Sequence, residues 1–343
     1  MSKKCKCIVL CFLFAAFSMA WAKEEAFLVK PQWQEAVKTP QDRERLKFFS
    51  ALCAKAQEAR APFGEIPKVL HVIWLGPEPF PSSCLPQLRS WAARHKGWKM
   101  KYWTDNLHPA PLSQMQLCKM ENFPLEEIEK IYYDAESHEE RSILLRYAIL
   151  ESEGGVYIDE QMHCLACLEP LQKELDFFCG LDEPGQSIRS SSINPSVNLI
   201  ASTQRHPICQ RALQWLEEEW KEREELYPGE DGISLANRVV HRSMHALSFA
   251  IESAAGLEGR KDSVFPPEFF NARLRRIAKY AFIKPKNLFG QRIQQAKAKE
   301  KIEDTFASIR KQLRICLILI FALVALNIFL GTVIFHLYRK RKK

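Results

Sequence analysis

Arg146, Asp159, Glu160 and Gln161 are the residues whose types and spacing suggest chemistry, all within RSILLRYAILESEGGVYIDEQ, residues 141–161. Arginine offers a planar, always-charged fork of donors suited to an anion. An ionised aspartate offers only acceptor oxygens. The intervening residues dictate how the two could meet. Ile143, Leu144, Leu145, Tyr147, Ile149 and Leu150 make a helix apolar on most sides, and such a helix belongs inside a protein. Arg146 in its middle must then be neutralised by a partner or aimed at an anion. Gly154-Gly155 supplies the positive-φ residues that end a helix. Val156-Tyr157-Ile158 reads as a short buried strand, with Asp159 where it runs out. Ligands of open α/β sheets bind at that carboxyl end. The same residues also describe an ordinary helix–strand joint with a solvated acidic turn, and spacing alone leaves both readings open.

The flanking elements must hold this stretch in place. Thr39-Pro40-Gln41-Asp42 carries a cap and a proline at the first helical position. Leu46, Phe49, Leu52, Cys53 and Ala56 then recur at helical spacing, predicting an N-terminal lid helix that Pro62 and Gly64 end. Residues 68–75, KVLHVIWL, read as a strand buried on both faces. A loop over 76–81, a helix over 85–95 and an alternating strand over 98–103 follow. Strand, helix, strand in this order opens a parallel α/β sheet. Downstream, the spacing predicts a helix over 124–135, a hairpin running through Cys167, and strands over 177–181 and 197–202. A Ser-, Gly- and Asn-rich stretch, 186–195, reads as a mobile loop. A helix over 206–227 should turn Ile208, Leu213, Leu216 and Trp220 inward, and another spans 234–255.

The 343 residues suffice for one large domain or two small ones. The formal charge of +8 gathers at the ends: Lys3, Lys4 and Lys6 open the chain, and Arg339-Lys340-Arg341-Lys342-Lys343 closes it. The middle mixes both signs without a basic–aromatic stripe, so charge gives no support to nucleic-acid binding. Residues 1–22 read as a signal peptide with an Ala20-Trp21-Ala22 cleavage site; an uncleaved anchor is the competing reading, against which the short apolar run counts. Residues 315–335 carry no charge, are long enough to cross a bilayer, and precede the five basic residues. The expected order is signal peptide 1–22, N-terminal helical extension 23–65, folded domain 66–290, juxtamembrane basic helix 291–314 suited to phospholipid headgroups, transmembrane helix 315–335 and basic cytoplasmic tail 336–343. Such a chain is a single-pass membrane protein with its body on the non-cytoplasmic side. Of eleven cysteines, Cys53, Cys84, Cys118, Cys164, Cys167, Cys179 and Cys209 fall in the body. Cys164 and Cys167 lack a second pair for a zinc site, and small buried hydrophobes explain most of the set. An oxidising compartment would permit up to three disulfides, with pairing left open.

Several motifs together resemble a known family. They are Ile66 to Gly76 (IPKVLHVIWLG), Tyr102-Trp103-Thr104-Asp105, Arg146-Tyr147 with Leu150, Gly154-Gly155-Val156-Tyr157-Ile158-Asp159, Asn198 with His206-Pro207, and Pro266-Pro267-Glu268-Phe269-Phe270. In order and spacing they are similar to the DXD-containing sugar transferases of GT-A type, which include fungal Golgi mannosyltransferases and the glycosyltransferase domains of large bacterial cytotoxins. The resemblance implies an α/β fold with a GT-A-like, mostly parallel sheet flanked by helices, to which the sequence adds the C-terminal transmembrane helix. It implies a nucleotide-sugar donor, retention of anomeric configuration, and a divalent metal, Mn2+ or Mg2+. On this resemblance Trp74 would stack on the donor base, worth about 1–3 kcal/mol. Arg146, Asp159 and Asn198 would bind the donor, with Asp159 and Arg146 carrying the chemistry and Asp159 and Gln161 touching the metal. Tyr157 reads as packing.

Two positions depart from the family pattern. Ile143 stands where an acid is usual, three residues before the arginine, and Gln161 replaces the second acid of the DXD motif. A charge missing about 4 Å from a dication removes about 8 kcal/mol of gross attraction at an effective dielectric near 20, before water compensates. Glu160 or His163 could substitute, although neighbours in a strand point to opposite faces. The expected activity is transfer of a hexose to a hydroxyl acceptor on a glycan, lipid or protein. The alternative is a catalytically silent GT-A-like ectodomain that binds a glycan or protein partner at the membrane.

Overall fold

The computed structural model describes residue 33 and residues 37–56, 61–183, 192–227, 232–270 and 278–283. The chain divides into two compact units, residues 1–228 with 235–286, and residues 229–234 with 287–343. Apart from residues 232–234, every element below lies in the first unit.

Helix α1 (Pro40–Lys55) begins with a reciprocal cap. The Thr39 hydroxyl accepts from the Asp42 amide at 3.0 Å, and the Asp42 carboxylate accepts from the Thr39 amide at 3.2 Å. Leu46, Phe49 and Leu52 form its buried face, as the helical spacing predicts. Strand β1 (Val69–Ile73), helix α2 (Leu85–Arg94) and strand β2 (Lys99–Thr104) follow, with β1 and β2 parallel from Val69 opposite Lys99 to Ile73 opposite Trp103. Strand β3 (Gln116–Lys119) adds in parallel outside β2. Its four half-buried and exposed residues give no apolar signal, so the sequence did not predict it. The helix expected over 124–135 is split into a 3-10 turn, Glu126–Ile128, and the short α3 (Glu129–Asp134). Glu126 has φ 45°, a left-handed conformation that an α-helix cannot run through.

Helix α4 (His138–Glu153) carries Arg146 and is capped by Ser137, whose hydroxyl accepts from the Glu140 amide at 3.1 Å. Gly154 (φ +64°) and Gly155 (φ +98°) end it and lead into β4 (Gly155–Ile158). Strand β5 (Met162–Cys164) does not fold back as the predicted hairpin through Cys167. A helix, α5 (Glu169–Glu174), follows it instead. Strands β6 (Phe177–Leu181) and β7 (Pro195–Ser202) then lead to α6 (Pro207–Leu226), α7 (Gly232–Ala254), β8 (Asp262–Phe265), α8 (Pro267–Phe270) and β9 (Ala281–Ile283). The partner of β5 is β9, antiparallel, and the amides of Leu165 and Ala166 both donate to the Tyr280 carbonyl. A strand of three residues finds such a partner only through tertiary contact.

The main sheet has the order β3-β2-β1-β4-β7-β6-β8. Its strands are parallel except β7, which runs against both β4 and β6. Two apolar layers cover its faces. Tyr157, Ile200, Cys179 and Val264 pack with residues of α1, α4, α6 and α7, whereas Val156, Ile158, Leu199 and Phe178 pack with Trp91 of α2 and Phe270 of α8. This is the mostly parallel, helix-flanked α/β sheet that the resemblance implies. Cys118, Cys164, Cys167, Cys179 and Cys209 are thiols. The readings of residues 1–22, 291–314 and 315–335, and of most of the 186–195 loop, lie outside the described residues. Among the described residues no helix is long and apolar enough to cross a membrane.

Candidate functional site

Arg146 is buried in the middle of α4, with 8% of its surface exposed. Its Nη2 donates to the Tyr157 hydroxyl at 3.2 Å, and its guanidinium carbon lies 4.3 Å from the centroid of that ring. Nε and Nη1 are buried and have no hydrogen-bond partner among the described residues. Burial works against the charge, but the pull of Tyr157, Tyr147 and Asp159, with the Tyr157 hydrogen bond, outweighs it and raises the pKa above the usual arginine range. The same burial pushes the phenols of Tyr147 and Tyr157 up. The group is therefore a fixed cation with donors to spare, and a buried donor left unsatisfied is costly. Tyr157 does more than pack. Tyr157 and Asp159 are two residues apart in an extended segment, so alternation places both on the α4 side of the sheet. That signal was present in the sequence.

Asp159 continues the β4–β7 ladder by one bond, from its amide to the Asn198 carbonyl at 2.8 Å. The chain then turns. The Met162 amide donates to the Asp159 carbonyl at 3.1 Å, and the Gln161 amide donates to the Asp159 carboxylate at 2.9 Å. Asp159, Glu160 and Gln161 are half-buried in this turn. The strand rule that would send Glu160 to the opposite face therefore does not apply to it, because residues 160–161 are turn and not strand. Asn198 thus meets Asp159 through its backbone.

Trp74, at the end of β1, is 6% exposed. Its amide donates to the Trp103 carbonyl, its indole N–H donates to the Glu78 carbonyl at 2.8 Å, and Phe80 stands edge-on at 5.4 Å. The ring anchors the loop after β1. Gly76 in that loop has φ +98° and donates its amide to Asp105 at 2.8 Å; a Cβ there would strike the His138 ring at 2.7 Å. Ile143 is 2% exposed and lies in the α4-side apolar layer. The missing acid has been replaced by core. His163 packs its ring against Phe282 at 5.1 Å.

Two polar networks hold the site, and the sequence singled out neither. His71 on β1 accepts the Trp103 indole N–H at Nδ1 (3.1 Å), so its proton sits on Nε2 and is donated to the Gly154 carbonyl at 2.8 Å. Burial lowers the His71 pKa to about 3, keeping this ring neutral. Glu140 is buried at the start of α4, accepting from Ser137 and from Arg238 and Arg242 of α7. Arg242 also donates to the Trp220 carbonyl and lies 3.5 Å from that ring's centroid.

Residues 81–178 match the family described as a glycosyltransferase sugar-binding region containing a DXD motif. That segment is similar to the sugar-binding region of DXD-type glycosyltransferases. It contains Arg146, Tyr157, Asp159 and Gln161, while Trp74 and Asn198 lie outside it. An uncharacterized glycosyltransferase of Acanthamoeba polyphaga mimivirus is 26% identical over 42% of this chain and 52% of its own length. The inositol phosphoceramide mannosyltransferase 1 of Schizosaccharomyces pombe is 25% identical over 48% of each. The chain thus spans about half the length of these curated relatives. Among solved structures, the PaToxG glycosyltransferase aligns over 66% of this chain and 80% of that one, at 15% identity and a TM-score of 0.43.

A divalent ion is part of what the DXD resemblance implies, and the side chains here are poor in what it needs. Hard cations take oxygen ligands, with one or two carboxylates completed by substrate phosphates. The two DXD positions supply one carboxylate and one neutral amide, and one Asp159 oxygen already accepts from the turn. Among the described residues no three His, Cys, Asp or Glu side chains come together to hold a metal. This donor set does not fit a resident ion.

Proposed function

We propose that this chain is a glycosyltransferase that moves a hexose from a nucleotide-sugar donor to a hydroxyl acceptor on a glycan, lipid or protein, with retention of configuration. The observation that carries the reading is the buried Arg146 guanidinium, whose Nε and Nη1 find no acceptor among the described residues, within electrostatic reach of the carboxylate that ends β4 and inside the segment that matches the sugar-transferase family. Negative charge grows on the departing diphosphate as the sugar–phosphate bond breaks. A cation already fixed by Tyr157 stabilises that charge without reorganising. Asp159 would accept hydroxyls of the sugar. Trp74 would shape the base end of the site by holding the loop after β1. The uncharged run over 315–335, with five basic residues after it, supports anchoring to a membrane with the body on the non-cytoplasmic side.

A second reading, a silent domain that binds a glycan or protein partner, is favoured by Gln161 and by the burial of Ile143. The two separate in one assay. The purified full chain is incubated with UDP- and GDP-hexoses, and hydrolysis of the donor is followed. Slow hydrolysis that disappears in Asp159→Ala and in Arg146→Lys supports the enzyme. No hydrolysis by the wild type or by Gln161→Asp with Mn2+ leaves the binding domain.

A further inference from the structure

We infer that this site takes its nucleotide donor without a divalent ion, the diphosphate being met by the Arg146 guanidinium in place of a metal. The inference rests on the donor reading above and deepens it. Three observations carry it. The turn after β4 offers a single carboxylate at the two DXD positions, and Gln161 adds no charge. One oxygen of that carboxylate accepts from the Gln161 amide at 2.9 Å, which lessens the negative charge it can offer a cation. Among the described residues the buried Nε and Nη1 of Arg146 have no acceptor, and the side chain bonded by its Nη2 is the neutral Tyr157. Nε and Nη1 point to different edges of the guanidinium, so each would take a separate oxygen of a diphosphate. A dication brought to Asp159 would instead meet the like charge of Arg146, which already interacts with that carboxylate.

The nearby groups do not restore the missing ligand. Glu160 shares the turn, but among the described residues no third His, Cys, Asp or Glu joins it and Asp159. Ile143 lies in hydrocarbon. Gln161 is then the residue that sets the ion requirement, and a carboxylate in its place would create one.

The test is titration of the full chain, stripped with EDTA, with UDP and with GDP, each in EDTA and in Mn2+. Binding of Mn2+ alone is followed by its electron paramagnetic resonance signal. The wild type should bind UDP or GDP with the same affinity in both buffers and leave the free Mn2+ signal unchanged. Gln161→Asp should gain about tenfold in affinity when Mn2+ is added, since a second carboxylate completes an oxygen site. Arg146→Gln should lose binding in both buffers. Wild-type binding that appears only with Mn2+ overturns the inference and leaves the donor reading standing. No binding by the wild type or by folded Gln161→Asp, in either buffer, overturns the donor reading and this inference with it. A thermal melt of each variant establishes that it is folded.

Discussion

The guanidinium of Arg146 lies 4.3 Å from the ring centroid of Tyr157 and donates to that ring's own hydroxyl at 3.2 Å. One aromatic side chain thus holds a buried cation by its face and by its edge. Tyr157→Phe keeps the ring and removes the acceptor. A hydrogen bond to a charged group is worth about 1.5–3 kcal/mol, so the variant should melt lower and bind the donor about tenfold more weakly. Arg146→Lys should cost donor hydrolysis about a hundredfold, because a point charge cannot reproduce the planar fork. Unchanged donor kinetics in both variants would remove Arg146 from the site.

The double glycine is held by its neighbours. A Cβ on Gly155 would stand 2.8 Å from both His71 Nε2 and the Val69 carbonyl, at φ +98°. Gly97 has a similar φ of +85° but nothing within 4 Å of its would-be Cβ. Backbone strain alone costs about 1–2 kcal/mol. Gly97→Ala should cost that much in urea denaturation, and Gly155→Ala clearly more. Equal losses would show that the close approach to His71 is relieved at no cost.

Glu140 is shared by two arginines whose side chains are almost wholly buried, Arg238 and Arg242. Removing the carboxylate charge takes from both buried cations their buried counter-charge, and breaking a buried pair costs about 3–5 kcal/mol. Glu140→Gln preserves shape and should lower the urea midpoint accordingly. Glu136 also pairs with Arg238 but is half-exposed on its own side. Glu136→Gln should therefore change stability by less than about 1 kcal/mol.

Acid should weaken the fold through its buried imidazoles. Burial lowers His71 to about 3 and His95 to about 4, both from 6.5. As pH falls below 6.5 the unfolded chain takes up protons that the folded chain refuses. Stability present above that pH is then lost at about 1.4 kcal/mol per unit for each histidine, down toward pH 4 and 3. Urea midpoints at pH 7, 6 and 5 check this, and a flat profile would mean that neither ring resists protonation.

The two departures from the resembled pattern, Gln161 and Ile143, differ in what a reversal would do. Gln161 is half-buried in a turn, so Gln161→Asp should be tolerated. Ile143 is 2% exposed in an apolar layer. Ile143→Asp would bury an unpaired carboxyl group and should cost several kcal/mol, about the upper range for a single substitution. Thermal melts of the two variants read the difference directly.

By itself the sequence determined the order and type of the main elements: the capped α1, strands β1 and β2, the apolar α4 with its glycine stop, β4 ending at Asp159, and helices α6 and α7. Caps, positive-φ glycines and the two periodicities act within a few residues, so they can be read along the chain. Tertiary structure decided the rest. It gave β3 and the β5–β9 pair, whose short strands carry no pattern of their own. It made Trp74 and Ile143 core, and it placed Glu140 between arginines about a hundred positions away. It also made Tyr157 the neighbour of Arg146. Each of these is a contact between residues distant in sequence or across a turn, where packing and burial choose the partner and local propensity is silent.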